Sequence, residues 1–180
     1  MKKPVRIGII GTGRIVARWM RDIADVENAV VTAIASRDEQ RAREAAEKYG
    51  IPKAYGRYES ILNGDVCDAV YIATPHHMHL ECAMMAMKAG KHVLCEKPIA
   101  PTAWQFRQMV ECAEENRVFL MEAMWTRFFP VTQEVRRLVQ SGEIGEVRMI
   151  QADFSFHTPF ETQTRMFDPK QAGGGLLDVG

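Results

Sequence analysis

The residues with the clearest chemical use form a glycine-rich turn, Gly11-Thr12-Gly13, directly after the apolar run Val5 to Ile10. Gly11 permits a tight turn that a Cβ would block, and Gly13 lets the backbone approach a pyrophosphate closely. The apolar spacing that follows predicts a helix, whose free amides and dipole favour negative charge. The pattern therefore predicts a dinucleotide-binding strand, turn and helix, with an ordinary strand-to-helix turn as the alternative. The residues predicted to meet the phosphates are Gly11, Thr12, Gly13, Arg14 and Ile15.

A second candidate contact lies in Ser36-Arg37-Asp38, where the apolar run Ala29 to Ala35 ends. At such a position an acidic residue holds the ribose hydroxyls of NAD, whereas an arginine accommodates the 2′-phosphate of NADP. Arg37 and Ser36 can both donate hydrogen bonds to that phosphate, so the sequence favours NADP, with NAD tolerated through Asp38. The alternative is that Ser36 caps the predicted helix Glu39 to Tyr49 and that Arg37 is solvated.

Two further strand ends should open onto the same crevice. The first is Ala73-Thr74-Pro75, where the proline has no amide hydrogen and directs the chain out of the sheet. The second is Glu96-Lys97-Pro98, which follows the predicted strand His92 to Cys95. A lysine at this strand end would face the nicotinamide ring of a bound dinucleotide and serve as a proton relay. The alternative is a surface lysine paired with Glu96.

The cluster His76, His77 and His79 has to be weighed as a metal site. A metal needs further ligands at suitable spacing, and the neighbouring sequence offers no such carboxylate or cysteine. We therefore predict no metal here, and a metal-dependent hydrolase is the weakest alternative. His79 is instead predicted to point toward the cofactor.

The elements that must position these residues alternate between strand and helix from Val5 to about Met121. This alternation predicts an α/β fold with a Rossmann-type doubly wound parallel sheet over residues 1–122. Residues 147–156 alternate only partly between apolar and polar, as an antiparallel strand does. We therefore predict that residues 123–180 are the incomplete beginning of an α+β domain with an open antiparallel sheet.

Composition excludes several classes of partner and compartment. Lys plus Arg and Asp plus Glu number 23 each, so no net field favours nucleic acid or an anionic membrane surface. No apolar run reaches the length of a secretory signal core or of a membrane span. The 4 cysteines stand singly, which is typical of reduced thiols, so we predict a cytoplasmic protein.

Three segments, in this order and spacing, resemble the glucose-fructose oxidoreductase and inositol dehydrogenase family of NAD(P)-dependent oxidoreductases. They are Gly8 to Ile15, Thr74 to His79 and Gly90 to Pro98. Within that family, Met121 to Pro130 is similar to the dimeric dihydrodiol dehydrogenase branch. The resemblance implies oxidation of trans-dihydrodiols or sugars with NADP, and a homodimer formed through the C-terminal sheet.

The resemblance also implies roles for individual residues. Lys97 would be an active-site residue, and Asp178 would orient a histidine or tyrosine that follows it in the family. Trp125 and Arg127 would lie beside the cofactor, and Phe154 would wall the substrate pocket. The substrate site implied in this way contains Lys97, Trp125, Phe154 and Asp178.

These observations predict an NAD(P)-dependent oxidoreductase that transfers a hydride between a diol or sugar hydroxyl and the nicotinamide. The alternative is a non-enzymatic dinucleotide-binding sensor or regulator, because a fold does not determine its function. The implied partner of Asp178 lies beyond position 180. We therefore expect the isolated 180 residues to bind the dinucleotide but to turn over substrate poorly.

Overall fold

The computed structural model describes residues 3–160 and 166–178, and its centre is a six-stranded parallel sheet. The strands are β1 (Val5–Ile10), β2 (Ala29–Ala35), β3 (Lys53–Tyr55), β4 (Ala69–Ile72), β5 (His92–Cys95) and β6 (Leu120–Glu122). They lie in the order β3-β2-β1-β4-β5-β6, which confirms the predicted Rossmann-type doubly wound sheet. The order reverses between β1 and β4, and ligands of open parallel sheets bind beyond the strand ends at such a reversal.

Six α-helices lie in the described part of the chain. They are α1 (Ile15–Ile23), α2 (Glu39–Tyr49), α3 (His79–Lys88), α4 (Ala103–Asn116), α5 (Pro130–Ser141) and α6 (Gly175–Asp178). Single 3₁₀ turns lie at Glu59–Ile61, His76–Met78, Trp125–Phe128 and Pro169–Gln171. Among the residues described, no helix combines the length and the apolar character needed to cross a membrane.

The ends of α2 show how local sequence sets the boundaries of an element. The Asp38 carboxylate accepts hydrogen bonds from the amides of Gln40 and Arg41 at 3.0 and 3.2 Å. Gly50 ends the helix in the left-handed region, with φ of 66°. Asp38 therefore caps this helix, and Ser36 does not take the capping role that was its alternative assignment.

The sheet is buried on both faces, because helices cover each of them. Adjacent residues of β1 point to opposite sides, so Ile9 and Ile10 are both fully buried but belong to different apolar clusters. Val16 of α1 and Ala46 of α2 pack on the Ile9 side, whereas Met109 of α4 packs on the Ile10 side. This two-sided packing holds the carboxyl ends of the strands in fixed positions around the crevice.

Two elements differ from the sequence prediction. β3 forms at the edge of the sheet beside β2, and three residues are too few for a recognisable pattern. Residues 147–156, predicted as an antiparallel strand, are instead an exposed segment without regular secondary structure. A strand needs a neighbour to satisfy its backbone groups, and among the residues described none pairs with this segment.

An ion-pair network lies at the amino-terminal end of the sheet, opposite the crevice. The amide and Nε of Arg6 in β1 donate to Asp68 Oδ2 at 2.9 and 3.0 Å. The Arg6 guanidinium also pairs with Asp65. The side-chain hydrogen bond from Arg6 is the largest of the causes that lower the pKa of Asp68 to about 2.

We expect Asp68→Asn to lower the melting temperature by about 2–4 °C near neutral pH, and the difference to vanish toward pH 2. The pKa of Asp68 is lower in the folded than in the unfolded chain. The stabilisation is therefore present above about pH 4 and is lost as the pH falls through the folded value. Thermal unfolding between pH 2 and 7 measures the difference in melting temperature between the unaltered chain and Asp68→Asn. Asp25→Asn, at an exposed residue, is the control. An equal difference at both ends of this range would contradict the assignment.

Candidate functional site

A cavity of about 1040 Å³ opens beyond the carboxyl ends of β1, β2, β4 and β5. Such a volume is sufficient for a large organic cofactor. Most residues predicted at the cofactor line this cavity. They are Gly11, Thr12, Gly13, Arg14, Ile15, Ser36, Arg37, Ala73, Thr74, Pro75, Glu96 and Lys97. Asp38, expected to tolerate NAD, and His76, weighed above as a metal ligand, also line the cavity. The lining residues that the sequence analysis did not name are Arg41, Tyr58, Thr158, Pro159 and Met166.

The glycine turn is pressed against the end of β4. Gly11 has a φ of +100°, and a Cβ at Gly11 or at Gly13 would lie 2.7 Å from the Ala73 carbonyl oxygen. Backbone hydrogen bonds hold both partners, because the Gly11 amide donates to Ala35 and the Ala73 amide donates to Ile10, each at 2.8 Å. The turn therefore requires glycine for the fold itself, in addition to any close approach of a phosphate.

The end of the cavity beyond β2 is basic. Arg37 follows β2, Arg41 lies in the first turn of α2, and both line the cavity beside Ser36. Arg41 Nε is 3.7 Å from Asp38 Oδ2, and the Ser36 hydroxyl accepts a hydrogen bond from the Asp38 amide at 3.2 Å. Burial raises the pKa of Tyr58, which lines the same end, and nearby Arg37 opposes that rise. Two guanidinium groups beside a hydroxyl suit a phosphate dianion. The predicted start of α2 could have indicated Arg41, because a first helical turn stays close to the preceding strand end.

The other end of the cavity, beyond β5, carries Glu96 and Lys97. The Tyr71 hydroxyl donates to Glu96 Oε1 at 2.5 Å, and the Lys97 amide donates to Glu96 Oε2 at 3.3 Å. Further along the loop, the Ile99 amide donates to Glu122 Oε1 at 2.8 Å. Glu96, which follows β5, and Glu122, which ends β6, therefore hold the loop that carries Lys97 through their carboxylates.

The histidines occupy two different environments. His79 is fully buried, with Nδ1 2.8 Å from the Pro98 carbonyl oxygen and Nε2 3.0 Å from the Thr74 carbonyl oxygen. Because both ring nitrogens face these carbonyl groups, the structure does not bring His79 to the cavity wall, and its contact with a cofactor stays a prediction. His76 does line the cavity, and its Nδ1 is 3.2 Å from the Ala172 carbonyl oxygen. In the described residues, no group of three or more His, Cys, Asp or Glu side chains could hold a metal ion.

Trp125 and Arg127 are not among the described residues that line the cavity. The Arg18 guanidinium lies over the Trp125 ring, 4.2 Å from its centroid, and the Phe129 ring lies perpendicular to that ring with the centroids 5.3 Å apart. Arg18 lies one turn into α1, the helix that begins at the glycine turn. The structure therefore connects Trp125 to the glycine turn through α1 rather than through the cavity wall.

The C-terminal segment reaches the cavity with other residues than those predicted. Phe154 is 72% exposed, whereas Thr158, Pro159 and Met166 line the wall. No local pattern distinguishes these lining residues, because they meet the cavity only through the path of the chain. α6 ends at Asp178, whose side chain lies outside the described part of the chain.

Two family models match the chain. A model for an oxidoreductase family, with an NAD-binding Rossmann fold, matches residues 5–124. A model of the GFO/IDH/MocA C-terminal domain matches residues 132–180. The two matches together include most of the chain.

Known proteins similar to this chain carry oxidoreductase names. Trans-1,2-dihydrobenzene-1,2-diol dehydrogenase from Mus musculus is 41% identical over 181 residues, or 98% of this chain and 53% of that protein. A 3-ketoreductase from Actinomadura kijaniata, solved with TDP-benzene and NADP, has a TM-score of 0.73 and 35% identity over 81% of this chain and 46% of its own. Scyllo-inositol dehydrogenase from Lactobacillus casei, solved with NAD(H) and scyllo-inositol, has a TM-score of 0.73 and 26% identity over 80% of this chain and 43% of its own. The chain thus spans about half the length of the curated relatives it matches.

Proposed function

This chain belongs to the GFO/IDH/MocA oxidoreductase family, and on that premise we propose that it forms the dinucleotide-binding part of an NADP-preferring dehydrogenase. The proposed reaction transfers a hydride between a diol or sugar hydroxyl group and the nicotinamide ring. The names of two similar proteins, a dihydrodiol dehydrogenase and an inositol dehydrogenase, support a substrate with neighbouring hydroxyl groups.

The observation that carries the proposal is a single cavity that joins three kinds of group across four strand ends. Arg37 and Arg41 would hold the 2′-phosphate, and Lys97 would lie at the nicotinamide. The amides of Thr12 and Gly13 would hold the pyrophosphate, whereas the Gly11 amide already donates to Ala35. The residues fit such a cofactor. The glycines leave no Cβ at the turn, and the basic end of the cavity, beyond β2, suits the 2′-phosphate. We propose that NAD can also bind, with Asp38 holding its ribose hydroxyls.

When bound, the nicotinamide ring supplies the hydride acceptor. Lys97 is proposed to take the proton of the substrate hydroxyl as the carbonyl group forms, either directly or together with the acid–base residue that follows Asp178 in the family. Asp178 is proposed to orient that residue. Trp125, Arg127 and Phe154 remain proposed contacts of the cofactor and substrate on the strength of the resemblance.

Replacing Arg37 with alanine should lower the affinity for NADP by about 10- to 100-fold and the affinity for NAD by less than about threefold. The reason is that only NADP carries the 2′-phosphate. Calorimetric titration of both dinucleotides measures the difference. Arg43→Ala is the matched control, since Arg43 lies on the same helix end but pairs with Glu39 and is absent from the described cavity lining. Equal losses for NADP and NAD would show that Arg37 does not meet the 2′-phosphate.

Titration of the folded chain with NADP and NAD tests the proposed function as a whole. We expect a saturable change in tryptophan fluorescence and a rise in melting temperature, because ligand binding to the folded state stabilises it. A folded chain that shows neither change with either dinucleotide would contradict the proposal.

We also propose the finer properties that the resemblance implies. The division between residues 122 and 123 falls at the end of β6 and separates the Rossmann domain from a substrate and dimerisation domain. A homodimer would form through the C-terminal sheet, and sedimentation of the intact protein measures its mass. The described cysteines 67, 82, 95 and 112 are buried and free, which supports a reducing, cytoplasmic location.

A further inference from the structure

We propose that Tyr71 is a positioning residue that fixes the Glu96 carboxylate and thereby makes the site favour the oxidised over the reduced dinucleotide. Tyr71 lies behind Glu96 and is not among the described residues that line the cavity. The inference rests on the proposed function, because it concerns the nicotinamide end of the same site.

The contact between the two side chains is short and directional. The Tyr71 hydroxyl donates to Glu96 Oε1 at 2.5 Å, which is the length expected when a hydroxyl donates to an ionised carboxylate. The second oxygen, Oε2, accepts from the Lys97 amide at 3.3 Å. Both oxygens of Glu96 therefore have a donor, one within β4 and the other in the loop that follows β5.

Packing and strand pairing hold the ring of Tyr71 in place. Tyr71 is 0% exposed, and its ring stacks on Trp19 of α1 with the centroids 4.3 Å apart and the planes 10° from parallel. In the sheet it is paired with Ile9 of β1 and Leu94 of β5. A hydroxyl anchored in this way defines one position for the carboxylate that it contacts.

The protonation of Tyr71 fixes the direction of this hydrogen bond. Burial, and then the negative charge of Glu96, raise the pKa of Tyr71 well above its ordinary value. The hydroxyl therefore remains protonated, and remains a donor, above the pH at which an ordinary tyrosine ionises.

A carboxylate fixed at this end of the cavity distinguishes the two forms of the cofactor by charge. The oxidised nicotinamide ring is positive and the reduced ring is neutral, so a nearby negative charge stabilises the oxidised form selectively. Lys97 lies at the same end of the cavity, and the Tyr71→Phe substitution does not alter it. If the carboxylate could turn away from the ring, the site would lose part of its selectivity for the oxidised dinucleotide.

The test compares the dissociation constants of NADP⁺ and NADPH for the chain and for Tyr71→Phe, by calorimetry. Phenylalanine keeps the ring that stacks on Trp19 and removes only the hydroxyl. We expect the ratio of the two constants to shift toward the reduced form by about tenfold. For a two-electron couple this corresponds to about 30 mV in the potential of the bound cofactor. Equal weakening of both forms, as a packing defect would cause, overturns the inference.

A double-mutant cycle with Glu96→Gln tests whether Tyr71 acts through Glu96. Glutamine keeps the size of the side chain and removes its charge, so we expect a shift at least as large as that of Tyr71→Phe. The double variant should match Glu96→Gln alone, whereas additive shifts would overturn the inference. If Tyr71→Phe does not fold, an unchanged ratio in Glu96→Gln overturns it equally.

Tyr55→Phe is the matched control, because Tyr55 ends β3 at the far edge of the sheet and is absent from the described lining of the cavity. We expect Tyr55→Phe to leave the ratio unchanged, and a shift as large as that of Tyr71→Phe would overturn the inference. Failure of the unaltered, folded chain to bind either form would refute the proposed function and this inference with it. Tight binding with a ratio that is insensitive to Tyr71 would refute this inference alone.

Discussion

Replacing Gly13 with alanine should weaken the binding of NADP by about 100-fold, or about 2.7 kcal/mol, while the parallel sheet remains folded. The added Cβ would lie 2.7 Å from the carbonyl oxygen of Ala73, which is backbone and cannot rotate away. The turn must therefore move away from β4, and its amides move with it from the positions that face the proposed phosphates. The cost to folding should be about 1–3 kcal/mol, as for other overpacked sites.

The measurement combines calorimetric titration with thermal unfolding followed by circular dichroism. Gly175→Ala is the control, since nothing lies within 4 Å of a Cβ at Gly175. Gly11→Ala is a less suitable variant, because the φ of +100° at Gly11 adds strain in the left-handed region. Unchanged NADP affinity in a folded Gly13→Ala variant would show that the amides of this turn are not the phosphate ligands.

Replacing Lys97 with methionine should lower kcat by about 10²- to 10⁴-fold in a protein that carries both domains, with NADP affinity kept within about threefold. Methionine preserves most of the volume of the lysine stem but can neither accept nor return a proton. A loss confined to kcat therefore separates proton transfer from binding. The measurement is steady-state oxidation of a dihydrodiol or sugar, together with calorimetric titration of NADP.

Lys88→Met is the matched control for Lys97→Met, because Lys88 is an exposed residue in the last turn of α3. It should leave kcat and NADP affinity unchanged. The same pair of variants distinguishes the proposed dehydrogenase from a dinucleotide-binding sensor. A sensor needs no proton relay, so unchanged behaviour of Lys97→Met in every activity would favour the sensor.

The strand ends of the site could be predicted because parallel sheets impose a simple rule. Each buried strand is a short apolar run, and the residues after each run must emerge at the same edge of the sheet. This rule brought the turn at Gly11, the segment at Thr74 and the loop at Lys97 to one cavity. The prediction needed no knowledge of side-chain packing.

Residues that meet the cavity through packing could not be predicted in this way. Tyr58 and Thr158 belong to segments without a regular pattern, and only the path of the folded chain brings them to the cavity. His79 has the same local setting as His76, but its ring is held between two carbonyl groups, and His76 instead reaches the wall. The strand predicted at residues 147–156 did not form, because alternation of side chains cannot supply a pairing partner.

The sequence by itself determined the glycine turn, the strand-end residues and the alternation of strands and helices apart from β3, because local apolar patterns and turn residues identify them. Only the tertiary structure decided that Gly13 is pressed against Ala73 and that Tyr71 holds Glu96. Each of those contacts joins residues more than 20 positions apart or on separate elements. Their geometry exists only once the helices have packed the sheet from both sides.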